Sequence, residues 1–393
     1  MTKRCNLRCA HCYLDAKELE GNDETTTADA RRFIDEIASL NPHAMLILTG
    51  GEPLLRPDCL DLSRYADGLG LTVVLGTNGT LLDARTVGEL GKNGIKGVGI
   101  SLDSTAPAFH NRFRGVDNAW ERTVEGIRHL KEEGIDFQLQ LTVTAGNRAD
   151  IPGLIGFARK HGARAVNVFF LVCTGRGQNM TDLKPEEYEE TLDYLVRAEK
   201  EFEGEVMVRA RCAPHFLRVA DKLNPGSSTL RGQTSGCIAG SGYLRISPEG
   251  YVTACPYMPA GPGSPNLKEM PLKEIWRDDA VFRGLREPVY SGRCRDCEYN
   301  DICGGCRARA LASSGELMGE DPWCKYEPSG RKEIHQGVDF CPAWTEAAEE
   351  RLKHVPLFLR GMVKKGVERY ARAHGLKEIT PDVMSELRKK TGR

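Results

Sequence analysis

The sequence has no apolar run that approaches the roughly 20 residues of a membrane-spanning helix. Its N-terminus, Met1-Thr2-Lys3-Arg4-Cys5, lacks the apolar stretch and small-residue cleavage site of a secretory signal. The chain also has no large excess of either positive or negative charge, because it contains 54 Lys and Arg residues and 55 Asp and Glu residues. These absences predict a cytoplasmic protein that has neither a membrane nor a nucleic acid as its partner.

Cysteine, in contrast, is abundant, with 14 residues in a chain of 393. Disulfides are rare in reducing compartments, so ligation of a metal or an iron–sulfur cluster explains these cysteines better. Hydrophobic residues make up 40% and charged residues 28%, the balance of an ordinary globular protein. The length predicts two or three domains.

Short apolar runs alternate with helical patterns from Thr25 to about Val172. The runs lie at 44–48, 72–75, 98–102, 137–141 and 166–170, and the helical candidates lie near 27–40, 58–68, 83–93, 118–133, 149–161 and 185–202. Repeated strand-then-helix units predict a parallel sheet, either open or closed as a barrel. In such folds, ligands bind at the C-terminal ends of the strands.

The densest chemical signal is the spacing CxxxCxxC formed by Cys5, Cys9 and Cys12. Three thiolates on one short loop suit a [4Fe-4S] cluster, which usually takes four cysteines, so one iron would stay open. A zinc site is the alternative, but three close cysteines without a fourth ligand make a poor closed tetrahedron. This spacing and the strand–helix repeats after it closely resemble the radical S-adenosylmethionine (SAM) family.

Later segments match the pattern of that family. Gly50-Gly51-Glu52-Pro53 follows the first apolar run, where the family's GGEP segment holds the SAM amino group. Asn78 follows the next run, and Ser101 and Asp103 lie where family members contact the SAM ribose. The resemblance therefore implies SAM contacts from Gly50, Gly51, Glu52, Pro53, Asn78, Ser101, Asp103 and Asn147, the last of them near the adenine. Judged by the residues alone, Ser101 and Asn147 are explained equally well as strand-end caps.

The resemblance implies an α/β fold with a partial (β/α)6 barrel. It also implies that SAM binds the open iron and that an electron from the cluster held by Cys5, Cys9 and Cys12 cleaves SAM. The resulting 5'-deoxyadenosyl radical would take a hydrogen atom from the substrate. A ferredoxin- or flavodoxin-type protein would be the reductant. Family members carry a first barrel strand before the triad, so we expect either a truncated start or a missing strand here.

A second set of cysteines resembles the SPASM extension, which binds auxiliary [4Fe-4S] clusters. By that resemblance Cys294, Cys297, Cys303 and Cys324 hold one cluster, and Cys237, Cys255 and Cys306 hold another. The latter set is one ligand short of four. Cys212 or Cys341 could be the fourth ligand, or one iron could stay open to the substrate. Alternatively, this cluster could be absent. A pair of zinc knuckles is the alternative. We expect Cys59 to be a core thiol and Cys173 to lie near the active-site mouth.

Further segments resemble the branch of the family that trims side chains of sirohaem-derived tetrapyrroles, in the alternative haem and d-type haem pathways. They lie at 169–177, 211–216, 304–310 and 320–324. The tail from Arg351 to Pro381 is similar to the C-terminal domain of light-independent protochlorophyllide reductases, although a docking or dimerisation helix pair is the alternative. Its apolar face would contain Leu352, Val355, Leu359, Met362, Val363 and Val367.

The resemblance thus predicts that an iron porphyrinoid in haem biosynthesis is decarboxylated or deacetylated. Arg176, Arg209 and Arg211 are candidates to bind its carboxylates, and His215 is a candidate axial ligand. A SPASM peptide maturase is the competing enzyme, and an electron-transfer protein is the non-enzymatic alternative. The predicted domains are a barrel at 1–205, an auxiliary-cluster domain at 206–344 and a helical C-terminal domain at 345–393.

Overall fold

The computed structural model describes most of the chain. The described residues are 1–16, 24–180, 183–227, 229–230, 236–329, 342–355, 360, 363–364, 366–368, 370–371 and 374–391. Leu359 and Met362 of the predicted apolar face and Cys341 lie outside these residues. Within these ranges, no helix is both long enough and apolar enough to cross a membrane.

The central element is a six-stranded parallel sheet whose strands neighbour one another in chain order. The strands are β1 (Met45–Leu48), β2 (Thr72–Thr77), β3 (Ile95–Ser101), β4 (Phe137–Val143), β5 (Ala165–Phe170) and β6 (Met207–Arg211). Helices connect consecutive strands, as parallel neighbours require a crossover. The predicted α/β fold with a partial barrel is confirmed.

Within the described ranges, eight helices accompany the sheet. They are α1 (Thr27–Leu40), α2 (Cys59–Gly68), α3 (Ala84–Leu90), α4 (Pro107–Arg114), α5 (Ala119–Glu132), α6 (Ile151–His161), α7 (Pro185–Glu201) and α8 (His215–Leu223). Short 3-10 turns lie at Pro53–Leu55, Gly91–Asn93, Arg148–Asp150 and Gly175–Asn179. All six helices predicted from the apolar periodicity are present, with ends within three residues of the prediction.

The two faces of the sheet differ in chemistry. The face packed against the helices is apolar and includes Leu48, Val73, Leu75, Val98, Ile100, Leu139, Leu141, Val166, Val168 and Val208. Because side chains alternate along a strand, the residues between them belong to the opposite, inner face. That face carries Gly76, Gly99, Gln138, Gln140, Asn167, Phe169, Arg209 and Arg211. On strands β4 to β6 the inner face is therefore mostly polar, whereas β1 and β2 place Ile47 and Val74 on it.

Strand β6 was not predicted, and neither were helices α4 and α8. The strand contains Arg209 and Arg211 and so lacks an apolar run, although Val208 packs in the outer core. It continues the sheet beyond residue 205, where we had predicted that the barrel ends. Both missed helices are shorter than ten residues, which gives little room for a periodic pattern.

The cysteine-rich segment has little regular structure. It contains a two-stranded antiparallel pair, Arg245–Ile246 and Val252–Thr253. Its helices are Leu272–Asp278, Ala280–Arg286 and Arg307–Ser314, with a 3-10 turn at Gly292–Cys294. An apolar cluster of its own includes Val252, Leu267, Ile275, Phe282 and Ala308, and also receives Phe33 from α1. This contact packs the segment against the barrel.

The C-terminal residues form a separate small core. Helices Glu346–Lys353 and Pro381–Thr391 flank a parallel pair of strands, Ala343–Trp344 and Glu378–Ile379. The core contains Ala348, Val367, Ala371, Ile379 and Met384, with Leu352 and Val363 packed beside them. The Thr345 side chain accepts a hydrogen bond from the Ala348 backbone N–H and so begins the first helix.

Candidate active site

The triad of Cys5, Cys9 and Cys12 lies on an N-terminal loop with a small apolar core around Leu7 and Ala16. Each sulfur accepts a hydrogen bond. The Leu7 N–H donates to Cys5 Sγ at 3.5 Å and the Ala16 N–H to Cys12 Sγ at 3.4 Å. Three half-buried or buried thiols with donors directed at their sulfurs fit the ligands of an iron–sulfur cluster.

Arg114, at the end of α4, supplies the third donor, from Nη1 to Cys9 Sγ at 3.6 Å. Its Nε also donates to Asp103 Oδ2 at 2.6 Å, and both side chains are buried. Burial pushes the pKa of Asp103 upward, but Arg114, together with His11, His110 and the Thr142 N–H, holds the pKa below its usual value. Asp103 thus holds a cation next to a triad sulfur, a role that the sequence did not predict for Arg114.

Arg176 fixes the triad loop from the other side. Its Nε donates to the Cys9 carbonyl oxygen at 2.9 Å, and its Nη1 donates to Asp15 Oδ1 at 2.9 Å and to the Ala16 carbonyl oxygen at 2.8 Å. The Arg176 N–H donates to the Cys12 carbonyl oxygen at 3.0 Å. The segment after β5 is therefore packed on the triad loop. Arg176 binds protein groups through Nε and Nη1, while its buried Nη2 has no hydrogen-bond partner among the described residues.

Gly50 and Gly51 lie against the first residues of the chain. The Gly51 N–H donates to the Thr2 carbonyl oxygen at 2.7 Å, and the Glu52 N–H donates to the Arg4 carbonyl oxygen at 2.8 Å. A Cβ on Gly51 would overlap the Arg4 carbonyl group. These glycines are thus required for the close approach of the segment that carries the triad, whatever else they bind.

Glu52 is a buried carboxylate that has no cationic partner in the described part of the chain. Its oxygens accept from Thr77 Oγ1 at 2.8 Å, the Asn78 N–H at 2.9 Å and the Leu54 N–H at 3.3 Å. Burial raises its pKa to about 7, because these neutral donors compensate only in part for the lost water. The mouth of the barrel therefore contains an acid that a positively charged ligand group would stabilise as an anion.

The other residues carried over from the family lie at the same end of the sheet. Asn78 Nδ2 donates to Asn6 Oδ1 at 2.9 Å, which ties β2 to the triad loop. Asn147 Nδ2 donates to the carbonyl oxygens of Asp103 at 2.9 Å and Thr142 at 3.0 Å, so it joins two strand ends. Ser101 is half-buried beside Gln140, and Pro53 is buried at the start of its 3-10 turn.

The downstream cysteines fall into two groups. Burial raises the pKa of Cys255, and the neighbouring Cys212, Cys306 and Cys237 thiolates raise it further. Burial likewise raises the pKa of Cys303, and the Cys324 and Cys294 thiolates raise it further. Burial also raises the pKa of Cys297, and the Cys294 thiolate adds to this increase. The first auxiliary group is Cys212, Cys237, Cys255 and Cys306, and the second auxiliary group is Cys294, Cys297, Cys303 and Cys324.

This grouping brings Cys212 to the set that the sequence left one residue short. Cys212 directly follows β6 and has a backbone φ of 57°. Cys59 is a buried core thiol of α2, and Cys173 is half-buried after β5. No disulfide joins the cysteines that the structure describes.

A structural zinc site needs four ligand side chains around one metal ion. Among the described residues, no three His, Cys, Asp or Glu side chains are placed to hold a single metal ion. Zinc–sulfur bonds of about 2.3 Å would draw the sulfurs of one site to within about 4 Å of each other. Four cysteines in each auxiliary group match the number of thiolates that a [4Fe-4S] cluster usually takes.

A buried ion pair links the two auxiliary groups. Asp321 Oδ2 accepts from Arg309 Nη1 at 2.7 Å and from the Cys306 N–H at 2.8 Å. Arg309 Nη2 also donates to the Cys212 carbonyl oxygen at 2.7 Å. Burial pushes the pKa of Asp321 upward, but Arg309 holds it below the usual value. This pair joins two members of the first group to the segment that ends in Cys324.

His215 belongs to the same buried network. Its Nδ1 lies 2.7 Å from the Tyr188 hydroxyl oxygen, and its side chain is 1% exposed. Burial lowers its pKa to about 4, so the imidazole is neutral at pH 7. The structure thus places this candidate axial ligand within the packing between α7, α8 and the cysteine-rich segment.

Three family models match parts of this chain. They are the radical SAM superfamily at residues 1–157, an iron–sulfur cluster-binding domain (SPASM) at 237–307 and the proto-chlorophyllide reductase 57 kD subunit at 344–388. Each match falls where the sequence shows the corresponding resemblance.

Several curated relatives match over most of their length. An AdoMet-dependent heme synthase of Methanosarcina barkeri is 39% identical over 84% of this chain and 96% of its own. An Fe-coproporphyrin III synthase of the same organism is 33% identical over 82% and 86%. A PqqA peptide cyclase of Gluconobacter oxydans is more distant, at 30% identity over 84% and 89%.

Solved structures support the fold. A crystal structure of Streptococcus suis SuiB bound to S-adenosylmethionine matches with a TM-score of 0.67 and 19% identity. The match covers 83% of this chain and 76% of that one. At this identity the likeness concerns the architecture of the barrel and its extension alone.

Proposed function

Because this chain belongs to the radical SAM superfamily, in the group that includes the AdoMet-dependent heme synthases, we propose that it decarboxylates propionate side chains of an iron tetrapyrrole. The enzyme uses a [4Fe-4S] cluster, SAM and auxiliary iron–sulfur chemistry. The observation that carries the proposal is the position of the first auxiliary group. Cys212 follows β6, so this group adjoins the end of the sheet at which the triad lies.

Residues of this chain would hold each cofactor. We assign Cys5, Cys9 and Cys12 to the cluster that binds SAM, and the two auxiliary groups to two further clusters. When bound, the first cluster and SAM together supply an electron and a 5'-deoxyadenosyl radical. Arg114 and Arg176 keep the triad loop in place through Cys9, one at its sulfur and the other at its carbonyl oxygen.

Glu52 would bind the SAM ammonium group. It is the buried carboxylate at this mouth that lacks a cation, and ammonium supplies the opposite charge. Gly50, Gly51 and Pro53 would shape the same loop, and Asn78, Ser101, Asp103 and Asn147 would position its neighbours. The side chains of Asn78, Asp103 and Asn147 are already bonded to protein atoms, so we assign them to positioning.

The redox balance favours decarboxylation. Removal of a hydrogen atom from the propionate carbon next to the ring leaves a substrate radical. Loss of carbon dioxide from that radical forms a vinyl group and releases one electron, which an auxiliary group close to the mouth could accept. Removal of an acetate group would require an electron and a proton instead. An electron acceptor next to the sheet therefore suits the first reaction.

We also propose a ferredoxin- or flavodoxin-type reductant and a cytoplasmic location. Reductive cleavage of SAM needs a low-potential electron donor, which such proteins provide. No disulfide joins the 13 described cysteines, as expected in a reducing compartment.

The test is anaerobic incubation of the reconstituted enzyme with SAM, a reductant and iron coproporphyrin deuterated at its propionates. We expect mass spectrometry to show loss of carbon dioxide and deuterium in 5'-deoxyadenosine. Omission of SAM is the control. A parallel reaction with didecarboxysirohaem tests acetate removal. An unchanged iron coproporphyrin, with conversion of didecarboxysirohaem or of a peptide instead, would contradict the proposal.

A further inference from the structure

The inner face of strands β4, β5 and β6 carries a connected row of polar side chains. Arg211 Nε donates to Asn167 Oδ1 at 2.9 Å, and Asn167 Nδ2 donates to Gln138 Oε1 at 2.9 Å. Asn167 is 1% exposed, so the row is a built part of the interior. Gly76 and Gly99 pair in register on the same face. A Cβ on Gly99 would overlap the Gln140 side chain, so this glycine lets Gln140 lie across the neighbouring strand beside the row.

Two arginines on this face have no acidic partner among the residues that the structure describes. Arg209 donates from Nη2 to Met207 Sδ at 3.0 Å, and Arg211 donates to the Asn167 amide oxygen. The acid that acts on Arg209 is Glu199, whose carboxylate accepts from Ser227 Oγ at 2.7 Å and Thr229 Oγ1 at 2.5 Å. Burial lowers the pKa of both arginines, as expected for cations without a counter-ion.

Arg209 and Arg211 are half-buried, whereas five arginines among the described residues are buried. Carboxylates lie within 2.7 Å of the guanidinium groups of four of them, in the pairs Arg56–Asp58, Arg114–Asp103, Arg218–Glu189 and Arg309–Asp321. The fifth, Arg307, donates instead to the carbonyl oxygens of Leu317 at 3.0 Å and Gly319 at 2.8 Å. Among the described residues, Arg209 and Arg211 have neither a carboxylate partner nor such a pair of carbonyl oxygens, which leaves guanidinium N–H groups of both for an anionic ligand.

The geometry of the strand defines what this ligand looks like. Residues two apart on a strand share a face and lie about 7 Å from each other along it. Arg211 is adjacent to Cys212 of the first auxiliary group, at the C-terminal end of the sheet, and Arg209 lies deeper. A guanidinium group binds a carboxylate through two parallel hydrogen bonds. The pair thus suits a molecule with at least two carboxylates.

We propose that Arg209 and Arg211 form a clamp that binds two carboxylates of the substrate and presents a neighbouring side chain to the radical. This inference rests on the proposed function, because it takes a tetrapyrrole polycarboxylate as the ligand. It makes Arg209 and Arg211 determinants of specificity: carboxylates held by the clamp are not the ones that react. Arg176 and His215, the other two candidates from the sequence, are engaged by the protein itself.

The test compares iron coproporphyrin III with its tetramethyl ester. Binding to the anaerobic holoenzyme is measured by the change in the Soret absorption band, without turnover. We expect wild type to bind the acid more tightly than the ester. Arg211→Gln, Arg209→Gln and the double variant should weaken binding of the acid about tenfold or more, and binding of the ester little. Arg→Lys variants should recover part of the lost affinity for the acid, because lysine keeps the positive charge but cannot form two parallel hydrogen bonds with one carboxylate.

The matched control is Arg164→Gln, an exposed arginine that pairs with Asp136 just before β5. It should bind the acid as wild type does, and all variants should keep wild-type iron content. Wild type that binds the acid and the ester equally, or variants that discriminate between them as well as wild type, would overturn the clamp while the proposed function stands. Wild type that binds neither would contradict the proposed function as well.

Discussion

Glu52 at the mouth of the barrel and Asp321 in the cysteine-rich segment are both completely buried carboxylates. Asp321 has Arg309 at 2.7 Å, and the pKa of its carboxyl group is lowered. Glu52 has only neutral donors, and its pKa is raised to about 7. One region neutralises its buried charge internally, whereas the other leaves it for a ligand.

The same contrast extends to cations. Arg309 stabilises the packing of the cysteine-rich segment, which has few strands and helices to hold it. Arg209 and Arg211 lie on a sheet that its apolar outer face already stabilises. A region with a large core can keep charges unpaired for binding, because its stability does not depend on them. Among the described residues, Glu52, Arg209 and Arg211 thus lack a partner of opposite charge at the barrel, whereas Asp321 and Arg309 pair with each other in the cysteine-rich segment.

The largest expected effect separates the chemistry of the two regions. Replacement of Cys5, Cys9 and Cys12 by Ala should abolish SAM cleavage, since these residues hold the cluster that reduces SAM. Iron should remain at the auxiliary groups, which do not share these ligands. Iron analysis and assay of 5'-deoxyadenosine measure both outcomes.

Cys59→Ala provides a matched control for the triad, because it removes a buried thiol of α2 that belongs to none of the cysteine groups. Its iron content and SAM cleavage should match those of wild type. A triple variant that binds as much iron as wild type would show that the triad holds no cluster.

A smaller effect tests the internal neutralisation of the auxiliary region. Arg309→Met leaves Asp321 buried without a cation and should cost about 3–5 kcal/mol of stability. The double variant Arg309→Met/Asp321→Asn removes both charges, while the Asn oxygen can still accept from the Cys306 N–H. It should therefore be more stable than the single variant. Thermal unfolding measures the difference in stability between the two variants, and iron analysis measures their auxiliary iron content. A double variant that is no more stable than Arg309→Met would contradict the role of this ion pair.

The sequence predicted the parts of the fold that depend on apolar periodicity. Five strands and six helices followed from it, because the outer face of the sheet packs on one side of each helix. Strand β6 escaped prediction because its inner residues are arginines. The residues that make this strand hard to recognise are the ones that we assign to substrate binding.

The candidate site was predictable where residues are close in the chain. The triad and the GGEP segment are local, so their spacing revealed them. Arg114 and Cys9 are 105 positions apart, and nothing in the sequence around Arg114 indicates the contact. Cys212 joins the first auxiliary group only because β6 ends at the same edge of the sheet as its neighbours. Pairings of this kind depend on topology and require the structure.

The smallest effect is a pH dependence that arises from Glu52. Its pKa of about 7 lies above the usual 4.5, so the fold favours the protonated form. This contribution to stability is complete below about pH 4.5 and is lost as the pH rises through 7, by about 3 kcal/mol in total. Glu52→Gln does not ionise, so the thermal midpoint of SAM-free wild type should fall relative to the variant between pH 5 and 8. SAM affinity should change in the opposite direction, because the SAM ammonium group pairs with the ionised carboxylate. The affinity of wild type for SAM should therefore rise with pH, whereas that of Glu52→Gln should stay low and constant. Equal pH profiles for the two proteins, in both the thermal midpoint and SAM binding, would mean that Glu52 is neutralised within the protein as Asp321 is.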